Sequence, residues 1–302
     1  MNLIEPSLIE DPILNEDLIL EQNALLPCKQ GEKQLCRIIR KKDARSSVIR
    51  YELYREGPNH TTRFCLASYK RSSRGASTYV IGTHKGIYKG LGRVVGKVKS
   101  NFVGTQFRIL DNGANPNQLK RNSIQPNGNQ QGSLKSMSDM SLSSNTTAGG
   151  NIDNDKIRRE LGWVLYEPNI LGFKGPRKMT LLMNPMVVGE TDQVHHRPLT
   201  QKDSLLSKYE QNPLDPNLIV LKNKPPQWNE ESQSYVLNFN GRVTLASVKN
   251  FQIVHEDDID YVVMQFGRIS ESTFTMDFTF PLNLVQAFGI AITSFDNKLA
   301  CE

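Results

Sequence analysis

The sequence predicts a mainly β protein, an antiparallel barrel or sandwich built around one buried helix. Two observations predict it. Short β-branched or aromatic runs such as "SVIRYELY", "RFCLASY", "TYVIGT", "GTQFRILD", "GWVLYE", "KMTLLM" and "STFTMDFTF" recur along the chain, separated by Gly, Pro, Asn and Asp, and helical windows are few. Near the C-terminus, "PLNLVQAFGIAITSFD" (281–296) carries apolar residues on every helical face, where a surface helix would keep one face polar. Such a helix must be surrounded, and the available wall is sheet. A sheet closed around it would bury both and remove its own edges. A helix held between separate layers fits the same pattern, and periodicity leaves both arrangements open.

The chain has 302 residues, 38% of them hydrophobic, enough for a sizeable core. Its net charge of +6 and pI of about 9.0 suit an anionic partner. The acidic opening "MNLIEPSLIEDP" lacks the basic start of a secretory signal, and no apolar run reaches the length of a membrane span. Cysteines 28, 36, 65 and 301 form no C-x-x-C pair and are expected as free thiols of a cytosolic protein.

Residues 1–31 are expected to be an acidic tail, poorly ordered or strapped along the main domain, with "EDLILEQNALL" able to form a short helix. The remainder, 32–302, reads as one domain. An insert at about 113–155, rich in Ser, Asn and Gly and without aromatic residues, interrupts it and is expected to be disordered. Serines around "SMSDMSLSS" are candidate phosphosites. Their negative charge would weaken anion binding nearby, which serine-to-glutamate changes within 134–144 would test by lipid binding. "SYVLNFNGRVTLASV" reads as a strand region with a turn or bulge at Gly241. Pro281 has the shape for the first residue of the C-terminal helix.

The charge is uneven. Between Glu56 and Asp111 no acid occurs, while Arg63, Lys70, Arg71, Arg74, Lys85, Lys89, Arg93, Lys97, Lys99 and Arg108 do. Lys97 and Lys99, two apart in "GKVKSN", would share one face of a strand, with Val98 turned to the core. Two adjacent ammonium groups repel unless an anion lies between them. Lys70, Arg71 and Arg74, on an expected loop, would add an auxiliary basic patch worth about 1 kcal/mol each near an anionic membrane. Signatures of chemistry are absent: no G-x-S-x-G, Walker loop or H-E-x-x-H, and His195-His196 lack the spacing of metal ligands. The sequence therefore predicts no enzyme, no metal and no cofactor.

Longer stretches carry a family resemblance. "GKVKSNFVGTQFRILDNGANP" (96–116), "NILGFKGPRKM" (169–179), "PPQWNEESQSYVLNFNGRVTLASVKNFQIVH" (225–255), "DYVVMQFGRISESTFTMDF" (260–278) and "AFGIAITSFDNKLACE" (287–302) resemble the tubby-like proteins. The resemblance implies a closed, twelve-stranded, largely antiparallel β-barrel filled lengthwise by the hydrophobic C-terminal helix. It also implies binding of phosphatidylinositol 4,5-bisphosphate through Lys97, Lys99, Arg158 and Thr78, as a monomer in the cytoplasm and at the anionic inner face of the plasma membrane. Lys99 stands where the family has Arg, keeping charge without the bidentate fork. Thr78 stands where well-known members have Asn and offers one hydrogen bond. Arg159 is an alternate to Arg158, since on a strand only one of the two faces the site. Membrane receptors, ciliary transport proteins, the cilium and the nucleus are further partners and places the resemblance allows. The acidic N-terminus, without the basic transport-binding helix of ciliary members, weighs against a ciliary cargo role. The alternative function is a nucleic-acid-binding transcription regulator using the same basic face.

Overall fold

The computed structural model describes residues 12–42, 48–73, 75–119, 154–167, 178–189, 191–231 and 233–296. The strands, in chain order, are β1 (Lys33–Lys42), β2 (Ile49–Glu56), β3 (Thr62–Ser73), β4 (Ala76–Gly82), β5 (Val94–Ser100), β6 (Gln106–Asp111), β7 (Glu160–Tyr166), β8 (Met179–Met183), β9 (Ile219–Asn223), β10 (Gln227–Asn229), β11 (Ser234–Val236), β12 (Phe251–His255), β13 (Met264–Arg268) and β14 (Thr273–Thr279). The helices are α1 (Pro12–Leu25), α2 (Leu205–Gln211) and α3 (Leu284–Thr293).

Twelve strands close a barrel in the order β1-β14-β13-β12-β9-β8-β7-β6-β5-β4-β3-β2, and β10–β11 form a separate hairpin. Every barrel pairing is antiparallel. This settles the choice between barrel and layers. The helix α3 is buried along its whole length, among inward residues such as Ile38, Leu53, Tyr79, Val98, Phe107, Ile109 and Phe266. It runs so close to the wall that a Cβ at Gly289 would stand 3.2 Å from Ile109 Cδ1 and 3.3 Å from Val98 Cγ2. Each fully buried Leu, Ile or Phe contributes about 1.5–3 kcal/mol.

Two local expectations are corrected. Pro281 does not open α3. It follows a cis peptide bond from Phe280, and Asn283 caps the helix instead. The Asn283 side chain accepts from Gln286 N (2.8 Å) while Gln286 Oε1 accepts from Asn283 N (2.9 Å), a reciprocal box that satisfies two terminal N–H groups. Gln286 can be wholly buried because its Nε2 also donates to Leu161 O and Gln193 Oε1. Second, of "SYVLNFNGRVTLASV" only Ser234–Val236 is strand. Positive φ at Asn240 (50°) and Gly241 (73°) breaks the run. Arg242 then pins this segment to the barrel wall. Its guanidinium donates to both carboxylate oxygens of Asp277 (2.8 and 2.7 Å) and to Glu56 Oε2 (2.7 Å).

The strand β1 was hidden by its charges. "KQLCRIIRKK" still alternates, with Cys36 and Ile38 buried inward between half-exposed neighbours. Cys28, Cys36 and Cys65 are free and buried, and Cys301 lies outside the described residues. Burial pushes all three thiols up from their ordinary pKa. Residues 12–31 lie on the barrel. Ala24 and Cys28 join the core, Leu25 O accepts from Asn283 Nδ2 (3.2 Å), and Cys28 N donates to Leu282 O (2.8 Å). Residues 1–11 and 120–153 lie outside the described residues. Of the insert region, Ala114 is bridged in parallel to Ile157. No helix among the described residues is long and apolar enough to cross a membrane.

Candidate functional site: a cationic wall across β4, β5, β6 and the entry to β7

In the β4–β5–β6 sheet, Tyr79 lies opposite Val98, and Val98 opposite Ile109. All three are fully buried against the central helix. The alternate residues must therefore point outward, Lys97 and Lys99 among them. Register aligns Arg71, Thr78, Lys99, Arg108 and Trp163 in one row across β3 to β7. Thr78, in the row, is thus the direct neighbour of Lys99.

Arg158 and Arg159 precede β7 and diverge as a two-residue alternation demands. Arg159 turns to Asp111, donating from Nε (2.8 Å) and from its backbone N (2.8 Å), and its NH1 lies 2.8 Å from His195 Nε2. Arg158 is held by its backbone N, which donates to Ala114 O (3.0 Å), and its guanidinium is near enough to Lys99 and Arg108 for their charges to repel. Among the described residues the side chains of Lys99 and Arg158 make no hydrogen bond or ion pair.

The electrostatics follow. Burial, then Arg158, Lys97 and Arg108, push the Lys99 ammonium down from 10.5 to about 8. Burial and Arg108 likewise hold Arg158 below the usual guanidinium range, opposed by Glu160 and Asp111. Those two carboxylates are already engaged. Asp111 binds Arg159 and Gly113 N. Glu160, fully buried, accepts from Trp163 Nε1 (2.7 Å) and from Leu205 N at the start of α2 (2.7 Å). It also lies 2.5 Å from Arg108 Nε, misaligned for a hydrogen bond, while the Arg108 guanidinium stacks 5.7 Å from the Trp163 ring centre. The result is a half-buried wall with an excess of positive charge, in which Glu160 offsets Arg108 and Asp111 offsets Arg159. An anion with several oxygens, reached by Lys97, Lys99, Arg108 and Arg158 together, would relieve the repulsion and be bound for the same reason.

The other basic residues of the window scatter. Lys70 sits on the inward alternation of β3, opposite buried Tyr79, and pairs with buried Asp296 (3.3 Å), which also accepts from Tyr79 OH (3.0 Å). Arg71 lies exposed in the Thr78 row, and Arg74 lies outside the described residues. Arg93 pairs with Glu21 of α1, and Lys85 lies over the Tyr54 and Phe64 rings. Sequence reasoning left Arg108 out of the site. Its place in the basic window, one hairpin from Lys99, was the available signal.

His195 and His196 do not form a shared site. His195 Nε2 meets Asp192 (2.9 Å) and Arg159, whereas His196 Nε2 meets Asp203 O (2.7 Å). Among the described residues no three His, Cys, Asp or Glu side chains cluster as metal ligands.

Residues 24–297 match the Tub family. The chain belongs to that family. It is 39% identical to mouse Tubby-related protein 3 over 295 residues, covering 97% of this chain and 57% of the relative. It is 46% identical to Tubby protein homolog 1 of Caenorhabditis elegans over 245 residues, covering 79% of this chain and 50% of the relative. It is 40% identical to Protein king tubby 1 of Aedes aegypti over 286 residues, covering 94% and 60%. The chain thus spans 50–60% of the length of these Tub relatives. None of these three relatives is named as an enzyme.

Proposed function

We propose that this Tub-family domain is a peripheral membrane module that binds phosphatidylinositol 4,5-bisphosphate. The observation that carries the reading is Lys99, half-buried beside Lys97 and Arg108 and, among the described residues, without a carboxylate partner, since Asp111 pairs with Arg159 and Glu160 with Arg108. Two phosphates on adjacent ring carbons present clustered negative charge to such a wall, with the Thr78 hydroxyl at its edge to donate to a phosphate oxygen. No bond is made or broken. The lipid is held by charge-assisted hydrogen bonds, and the protein is thereby drawn to the inner face of the plasma membrane. Within the proposal it acts as a monomer and serves as an adaptor toward membrane receptors.

Vesicle co-sedimentation tests this directly. Phosphatidylinositol 4,5-bisphosphate and phosphatidylserine are compared at matched surface charge, for wild type and Lys97→Ala/Lys99→Ala. Selective binding that the double variant loses is the expected result. Equal binding to both lipids, or no effect of the substitutions, would reduce the wall to a general electrostatic patch. Binding of duplex DNA in preference to either vesicle would move the assignment to the nucleic-acid reading.

A further inference from the structure

The β5–β6 turn, residues 101–105, carries the exposed apolar pair Phe102 (74% exposed) and Val103 (63%) at the strand end next to Lys99. The turn is internally knitted. Asn101 Oδ1 accepts from the backbone N–H of Gly104 (2.7 Å), Thr105 (3.0 Å) and Gln106 (3.3 Å), and Asn101 Nδ2 donates to Thr105 Oγ1 (3.1 Å). Asn101 N donates to Gln106 O (2.9 Å), and Thr105 O accepts from Tyr166 N (2.7 Å). Ser100 Oγ accepts from Ser77 N (2.8 Å), fixing the turn to β4. One face of the Phe102 ring rests on the β3–β4 turn, where a Cβ on Gly75 (φ +82°) would collide with Phe102 Cε2.

We propose that this tip inserts into the acyl-chain boundary of the bilayer whose phosphates the cationic wall binds; the inference rests on the lipid reading above. Leaving water is costly for a turn because its backbone donors lose their solvent partners. Here the Asn101 side chain satisfies three of them in advance, those of Gly104, Thr105 and Gln106, which lowers the cost of entry. Depth agrees. Phe102 lies three residues beyond Lys99, about 10 Å at about 3.3 Å per residue, close to the roughly 5–10 Å by which interfacial apolar groups enter a membrane. With Phe102 at that depth, Lys99 and Arg108 stand level with projecting inositol phosphates. The occupant is lipid, because the tip is continuous with a wall of net positive charge that matches an anionic surface.

The test uses phosphatidylcholine vesicles containing a few per cent phosphatidylinositol 4,5-bisphosphate, with plain or brominated acyl chains, alongside soluble inositol 1,4,5-trisphosphate. Relative to wild type as the blank, Phe102→Trp should gain a blue-shifted emission that brominated chains quench. Phe102→Ser/Val103→Ser should bind vesicles roughly 10- to 100-fold more weakly, while its affinity for inositol trisphosphate stays at the wild-type value. Wild-type vesicle affinity in the double-serine variant, with no bromine quenching, overturns the insertion and leaves the headgroup reading intact. Failure of wild type to bind either inositol trisphosphate or vesicles overturns both. Quenching by a single-stranded oligonucleotide in place of brominated lipid overturns the insertion and assigns the tip to base stacking.

Discussion

Replacing Lys99 by methionine should make the protein more stable and its ligand weaker. Methionine keeps the length and apolar stem of the side chain and removes the charge. The Lys99 ammonium is displaced from 10.5 to about 8 by burial and by Arg158, Lys97 and Arg108. At about 1.4 kcal/mol per pKa unit, that displacement corresponds to roughly 3 kcal/mol against the charged form. Solvent screening of a half-buried group cuts the recoverable part to roughly 1–2 kcal/mol. At about 2–4 °C per kcal/mol, Lys99→Met should melt roughly 2–8 °C higher at pH 7. The sign with pH is fixed by linkage. Below pH 8 both folded and unfolded Lys99 are charged and the penalty is fully present. Between about 8 and 10.5 the unfolded chain holds the extra proton, so wild-type stability gains on the variant as pH rises. Thermal melts from pH 7 to 10 read this difference. Soluble inositol 1,4,5-trisphosphate should raise the wild-type melting temperature and leave the variant nearly unmoved. A variant less stable than wild type at pH 7, with a gap that does not change with pH, would refute the electrostatic reasoning.

Two further outcomes follow from the same contacts. Lys70→Met should cost about 2–3 kcal/mol in denaturant unfolding, because it removes the Lys70 ammonium paired with buried Asp296, while weak surface attraction alone would predict a change near zero. Phe288→Asp places a carboxylate at the barrel centre, where Phe288 is fully buried, and should abolish cooperative folding; a soluble variant with a sharp melt would remove the central-helix account.

Much of this was legible in the chain. The alternation around Val98 placed Lys97 and Lys99 on one outward face, because strand side chains have a fixed period of two. The all-round apolar run at 284–293 demanded enclosure, because no wet face was available to it. The alternation likewise separated Arg158 from Arg159. Other features were not legible. The charges of "KQLCRIIRKK" masked β1. Pro281 suggested a helix start that Asn283 and Gln286 supply, since a reciprocal cap outweighs the mild preference of proline for the first turn. Lys70 and Arg71, adjacent in sequence, have opposite fates that depend on which one faces Tyr79.

The sequence by itself determined the strand-rich wall, the buried helix and the positive window, since each is written in local composition and period. Only the tertiary structure decided which of those cations become a site. Closing the barrel put Arg108 beside Lys99 through register, brought Arg158 in from the entry to β7, and spent Lys70 and Arg93 on Asp296 and Glu21. Charge–charge energy depends on distance through space, and the distances between residues far apart in sequence exist only once the sheet has closed.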